Sequence, residues 1–163
     1  YAAEAVRGAD RSPFHAPYGN DAKDFFWGCL AEKCMNQGVS LMYAYLLTGK
    51  DVYLTNAYGN MDYILGRNAT GFCYVTGLGT KSPKHPHHRL SASDDIEDPI
   101  PGFLVGGPNP GQQDGAFYPT ASPDESYVDT EDSYASNEVA INWNAALVAL
   151  ASSLDALAVY SVK

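Results

Sequence analysis

From about Asn137 to Val159 the chain is apolar on nearly every side. Val139, Ala140, Ile141, Trp143, Ala145, Ala146, Leu147 and Val148 follow Glu138 without one charged residue among them. A helix with a single apolar stripe can lie on a surface, whereas one that is apolar all round has to be enclosed by protein. Asn142, Asn144, Ser152, Ser153 and Asp155 interrupt the run and argue against a membrane span. Two more helical stretches are legible. One runs from about Phe25 to Leu47, with Leu41, Met42, Tyr45 and Leu46 on one broad face. The other runs from Asp51 to Leu65 and carries Val52, Leu54, Ala57, Met61 and Ile64. Gly49 suits the position just past a helix end, and Asp51 suits a cap of the next helix. So short a connection predicts an antiparallel hairpin. Two helices cannot enclose a third, so the sequence predicts one portion of a larger all-α domain.

The remainder is irregular. Residues 1–24 read as loop, with Pro13, Pro17 and Gly19. Between Gly66 and Tyr134 there is little helical signal, and eight of the ten prolines fall from Pro83 to Pro123. Short β pieces fit around residues 72–76. A compact domain seldom holds so long a connection unless it has a function.

The composition narrows the functions. A formal net charge of −9 excludes a nucleic-acid surface and disfavours an anionic membrane. It suits a neutral ligand, which needs no steering by charge. Twelve Tyr, six Phe and two Trp supply flat apolar faces for a core or for sugar rings. Cys29, Cys34 and Cys73 have neither zinc spacing nor a disulfide-dense pattern and read as small buried hydrophobes.

Four stretches could carry chemistry. Glu138 stands where the last helix begins. With Asn137 as the cap, Glu138 would occupy the first turn, where the backbone dipole favours a carboxylate. A proton donor in that place would instead need burial or a nearby like charge, and Asp129 could be folded close. The segment from Lys81 to Arg89 holds His85, His87 and His88. Pro86 and the lack of a fourth ligand weaken a zinc site. A pre-stiffened platform donating hydrogen bonds to hydroxyls, or a solvated basic turn, fits equally. The acidic run from Ser91 to Asp98 lacks EF-hand spacing but offers oxygen ligands for structural calcium. Asn68-Ala69-Thr70 fits an N-glycosylation acceptor pattern.

Two longer motifs together resemble the family 9 glycoside hydrolases, mostly endoglucanases and cellobiohydrolases. In the first, from Cys73 to Arg89, Gly79, Lys81, Pro86, His87 and Arg89 match, and Cys73 departs from an expected Ser, Thr or Val. In the second, Tyr127, Asp129, Tyr134, Glu138, Ala140, Asn144 and Ala145 fill every defined place. Likeness extends over Trp27-Gly28, the helix at residues 41–48 and the stretch from Tyr63 to Asn68, from about residue 18 to 158.

The resemblance implies that residues 1–163 are the C-terminal part of an (α/α)6 barrel with long irregular active-site loops. It implies inverting hydrolysis of β-1,4-glucan in a secreted, extracellular enzyme that requires no cofactor. Carried over by position, Glu138 is the general acid and Asp129 a supporting active-site acid. His87, counted with them among the catalytic residues, and Arg89 hold sugar hydroxyls beside the scissile bond, and Tyr134 forms part of the wall. The expected partners are cellulose or β-glucan oligosaccharides and the upstream half of the same domain. The family's base belongs to an Asp-Ala-Gly-Asp motif absent from this sequence, and Gln113-Asp114-Gly115 is no substitute. These 163 residues alone are therefore expected to be inactive and poorly folded. The alternative is a non-catalytic sugar-binding or assembly fragment.

Overall fold

The structure is a computed structural model that describes residues 1–160; the expected domain extends to Lys163, and residues 161–163 lie outside the described part. Its helices are α1 (Ala2–Ala9), α2 (Asn36–Thr48), α3 (Asp51–Ile64), α4 (Tyr134–Asn137) and α5 (Ile141–Tyr160). A 3-10 turn at Ala22–Asp24 and a π-helix at Leu30–Met35 precede α2. Among the described residues β structure is limited to isolated bridges.

Helix α2 ends where expected. Gly49 takes the left-handed conformation, φ 65° and ψ 14°, and its N–H closes on the Tyr45 carbonyl. Asp51 is the first residue of α3 rather than its cap, because Lys50 holds the extended cap position and no side chain bonds there. The α2–α3 hairpin packs against α5 and the π-helix. Gly28, at φ +81°, holds the first residues after Trp27 against the indole of Trp143 on α5. That turn postpones the helix expected from Phe25 to Leu30, and the chain enters it through a widened turn. Asn60 of α3 reaches this turn. Its Nδ2 donates to the Cys34 carbonyl and to Gln37 Oε1, and its Oδ1 accepts from the Tyr18 N–H. Inserted side chains of this kind mark π segments. Residues 2–9, expected as loop, form α1, with Ala5 and Ala9 buried. An alanine-rich stretch of eight residues has helical propensity but too few large apolar residues to show a period.

The core gathers Tyr18, Leu30, Met35, Leu41, Tyr63, Ile64, Tyr74 and Leu150, all buried. Tyr18 meets Tyr63 edge-to-face at 5.0 Å and Phe25 at 5.5 Å. All three cysteines are buried free thiols. Burial pushes the Cys29 thiol up to about 11 and the Cys34 thiol up as well, which leaves both poorly reactive.

Helix α5 is only half enclosed. Trp143, Ala146, Leu150 and Leu154 form its buried seam, while Ile141 is 93% exposed and Val148 63%. Leu46 and Leu47 of α2 are also open to solvent. By length and composition alone Ile141–Ala158, at mean hydropathy 1.2, could also cross a membrane. Its buried seam is the packing stripe of a bundle helix.

Candidate functional site

Glu138 is not in a helix. It caps α4 in the extended conformation, φ −72° and ψ 147°, three residues before α5 begins. The carboxylate expected in the first turn, capped by Asn137, is instead held outside the helix. The physical reason is lateral pairing. Val139 bridges Val105 on one side in antiparallel sense, and Glu138 bridges His87 on the other in parallel sense. The Gly106 N–H donates to the Glu138 carbonyl at 3.0 Å, and the His87 N–H donates to the Asn137 carbonyl at 2.9 Å. Backbone groups spent on these partners cannot close a helical turn.

The pairing continues outward, since Val75 bridges Leu104. Asn144, in the first turn of α5, reinforces it with a side chain that imitates backbone. Its Oδ1 accepts from the Leu104 N–H at 2.8 Å, and its Nδ2 donates to the Leu104 carbonyl at 3.2 Å. Glu138 therefore sits in a row of short paired segments from 75 through 104–105 and 138–139 to 87. A rigid row of this kind fixes the Cα from which the side chain projects better than a free loop would.

Asn137 is fully buried and ties three segments together. Its Oδ1 accepts from the Tyr127 hydroxyl at 2.6 Å. Its Nδ2 donates to the His85 carbonyl at 2.7 Å and to Asp129 Oδ1 at 3.1 Å. Asp129 also accepts from the backbone N–H groups of Lys84 and His85, at 2.8 and 3.0 Å. Its carboxylate is thus committed to holding the histidine loop. It lines a different opening from Glu138, one shared with Phe72, Lys81, Glu125 and Tyr127.

His87, Arg89 and Glu138 converge. With His88, Leu90 and Val139 they line one open pocket of about 340 Å³. The His87 ring is held by a hydrogen bond between Nδ1 and the Glu131 carbonyl. Tyr134 stands beside it, ring centroids 6.1 Å apart, its hydroxyl donating to the Gln113 carbonyl at 2.9 Å. Arg89 is exposed, and no ion pair joins it to Glu138 among the described residues. Trp27, which the sequence marks only as part of a likeness, stands over the same place. Its Nε1–H donates to Glu138 Oε2 at 3.1 Å, and its ring lies 5.2 Å from that of Tyr134.

Asp114 braces the start of α4. Burial pushes its carboxyl up, but N–H donation from Ala135 and Ala116 and hydroxyl donation from Tyr118 and Ser133 outweigh it. The net effect holds the carboxyl below its usual range. This explains why a turn reading Gln113-Asp114-Gly115 is structural. The Asn68 amide is equally committed, donating to the Tyr63 and Phe72 carbonyls at 2.6 and 2.9 Å. Asp94, Asp95, Glu97 and Asp98 lie on an exposed turn, with Asp98 paired to Lys84. No group of three or more His, Cys, Asp or Glu side chains placed to hold a metal occurs among the described residues.

A profile of glycosyl hydrolase family 9 matches residues 3–151. The chain belongs to that family. It is 94% identical, over all 163 residues, to 28% of a xyloglucan-specific endo-β-1,4-glucanase of Bacteroides ovatus. It is 40% identical over 124 residues to endoglucanase D of Acetivibrio thermocellus, covering 76% of this chain and 18% of that protein. Among solved structures, a Bacteroides ovatus family 9 hydrolase superposes with TM-score 0.89 at 87% identity, over 97% of this chain and 27% of its own. AaCel9A in complex with a cellobiose-like isofagomine superposes with TM-score 0.82 at 35% identity, over 94% of this chain and 30% of its own. The chain spans less than a third of each of these relatives. Its helices are one part of an (α/α)6 barrel, as the sequence led us to expect.

Proposed function

We propose that this chain is the proton-donating part of an inverting β-1,4-glucan hydrolase, with Glu138 as general acid. The observation that carries the proposal is the pocket shared by Glu138, His87 and Arg89, built on paired backbone. A glycosidic oxygen in that pocket would take the Glu138 proton as the bond from the anomeric carbon to that oxygen breaks. Water would attack the anomeric carbon from the opposite face and lose its proton to a base outside this chain. Inversion needs the two carboxyl groups about 6.5–9.5 Å apart to admit that water. His87 would accept from a sugar hydroxyl at Nε2, since Nδ1 carries the proton that it donates to the Glu131 carbonyl. Arg89, always charged and free of a carboxylate partner in the pocket, would hold further hydroxyls. Tyr134 supplies wall, and Asp129 supports the site by holding the loop that carries His87. The chemistry requires no cofactor.

Near identity to a xyloglucan-specific relative supports xyloglucan, whose backbone is a β-1,4-glucan, as the substrate of the complete protein. A polymeric substrate cannot enter a cell, so secretion belongs to the same proposal. The test is Glu138→Gln in the complete protein. Turnover of β-1,4-glucan should fall about 10²–10⁴-fold, the contribution of general acid catalysis, with oligosaccharide affinity retained. Near-normal turnover would refute the role of Glu138.

A further inference from the structure

The geometry points to Trp27 as the residue that orients the Glu138 carboxyl, its indole N–H held on Oε2 so that the other oxygen is left to face the substrate. This rests on the proposed role of Glu138 as proton donor.

Glu138 is partly exposed, and its side chain has few restraints of its own. Its neighbours pair through backbone, which fixes its Cα but not its terminal torsions. Among the described residues the carboxyl itself is restrained by the hydrogen bond from Trp27, at 3.1 Å. Trp27 is fixed from both sides. Gly28 follows it at φ +81° and packs so tightly on Trp143 that a Cβ there would lie 2.6 Å from the indole. The Tyr134 ring lies 5.2 Å away at a 40° tilt, and the Tyr134 hydroxyl is anchored on Gln113. Trp27 is 39% exposed although it is large and apolar, so burial does not account for its position. Indole Nε1 is a donor only, so it cannot accept the proton that Glu138 is to deliver. It can bond the carboxyl through an unprotonated oxygen before transfer, and the carboxylate after it. The carboxylate makes the stronger bond, so the contact helps most as the proton leaves. Acid catalysis depends on aim, and a displacement of about 1 Å can lower the rate about 10²-fold.

The experiment uses the complete protein and two substrates. One is a β-1,4-glucan oligosaccharide, whose sugar leaving group needs a proton. The other is a 2,4-dinitrophenyl cello-oligosaccharide, whose leaving group departs without one. Trp27→Phe keeps an aromatic ring beside Tyr134 and removes the donor. Replacing Trp27 by β-(3-benzothienyl)alanine keeps the shape of indole and removes only the N–H, so it decides the matter if Trp27→Phe fails to fold. Both changes should lower kcat on the oligosaccharide about 10- to 100-fold with KM within about twofold. Both should leave the dinitrophenyl substrate near the wild-type rate. Equal losses on the two substrates, or a loss confined to KM, would make Trp27 a sugar contact and overturn the inference. No loss at all would overturn it too. Glu138→Gln, run alongside, must show the same split between substrates. If it does not, the role of Glu138 falls and takes this inference with it, whereas a failed split in the Trp27 variants alone leaves Glu138 standing.

Discussion

Asn137 shows how much of a site can rest on a residue that performs no chemistry. It accepts from Tyr127 and donates to His85 and Asp129 while wholly buried. Asn137→Ala would strand the buried Tyr127 hydroxyl, worth about 1–3 kcal/mol when left unpaired, and would cut the ties to the His85 carbonyl and to Asp129. We expect stability to fall by at least about 1–3 kcal/mol in denaturant titration of the complete protein, with turnover lost as the His87 loop drifts. Asp114 gives a pH prediction of definite sign. Its carboxyl is held below its usual range, so its hydrogen bonds contribute stability above about pH 3.9 and lose it as pH falls through the folded value. Asp114→Asn should therefore flatten the acid limb of stability against pH, measured by melting temperature. The sequence marks Glu138, Asp129, His87, Arg89 and Tyr134, because their spacing is itself the motif. It does not mark the bond from Trp27 to Glu138, which joins residues 111 apart in sequence. No local pattern encodes such a contact.

At the scale of elements, α2 and α3 are legible from apolar period, α5 from an apolar run on nearly every side, and Gly49 as the stop of α2 from its chemistry. The start of α5 is not. Asn137 and Glu138 look like a cap and a first turn, but two lateral bridges hold 138–139 extended, and their partners, His87 and Val105, lie far away in the chain. The same limit hides the delay of the second helix, which Gly28 and Trp143 impose together. Gly28→Ala tests that junction. A Cβ would meet the Trp143 indole at 2.6 Å, in a backbone conformation L residues disfavour. Left-handed backbone at about 1–2 kcal/mol and overpacking at about 1–3 kcal/mol predict a loss of about 2–5 kcal/mol, readable as a shifted denaturant midpoint.

At the scale of the whole molecule, the open face of α5 follows from the share of the barrel this chain represents. The sequence indicates a helix that must be enclosed, and the chain encloses only the seam from Trp143 to Leu154. Exposed Ile141, Val148, Leu46 and Leu47 mark where further helices would pack. The 163 residues alone should bind a hydrophobic dye such as ANS and melt without a sharp transition; a cooperative melt with no dye binding would refute this. Glu138 facing a glycosidic oxygen is the premise on which the proposed function most depends. A crystal structure of the complete protein carrying Glu138→Gln, with a β-1,4-glucan oligosaccharide bound, measures that directly. The substituted side chain at position 138 should lie about 2.6–3.2 Å from the bridging oxygen of the scissile bond, with His87 and Arg89 on the adjoining hydroxyls. A sugar chain bound away from residue 138, or crossing it with no glycosidic oxygen in reach, would contradict the account.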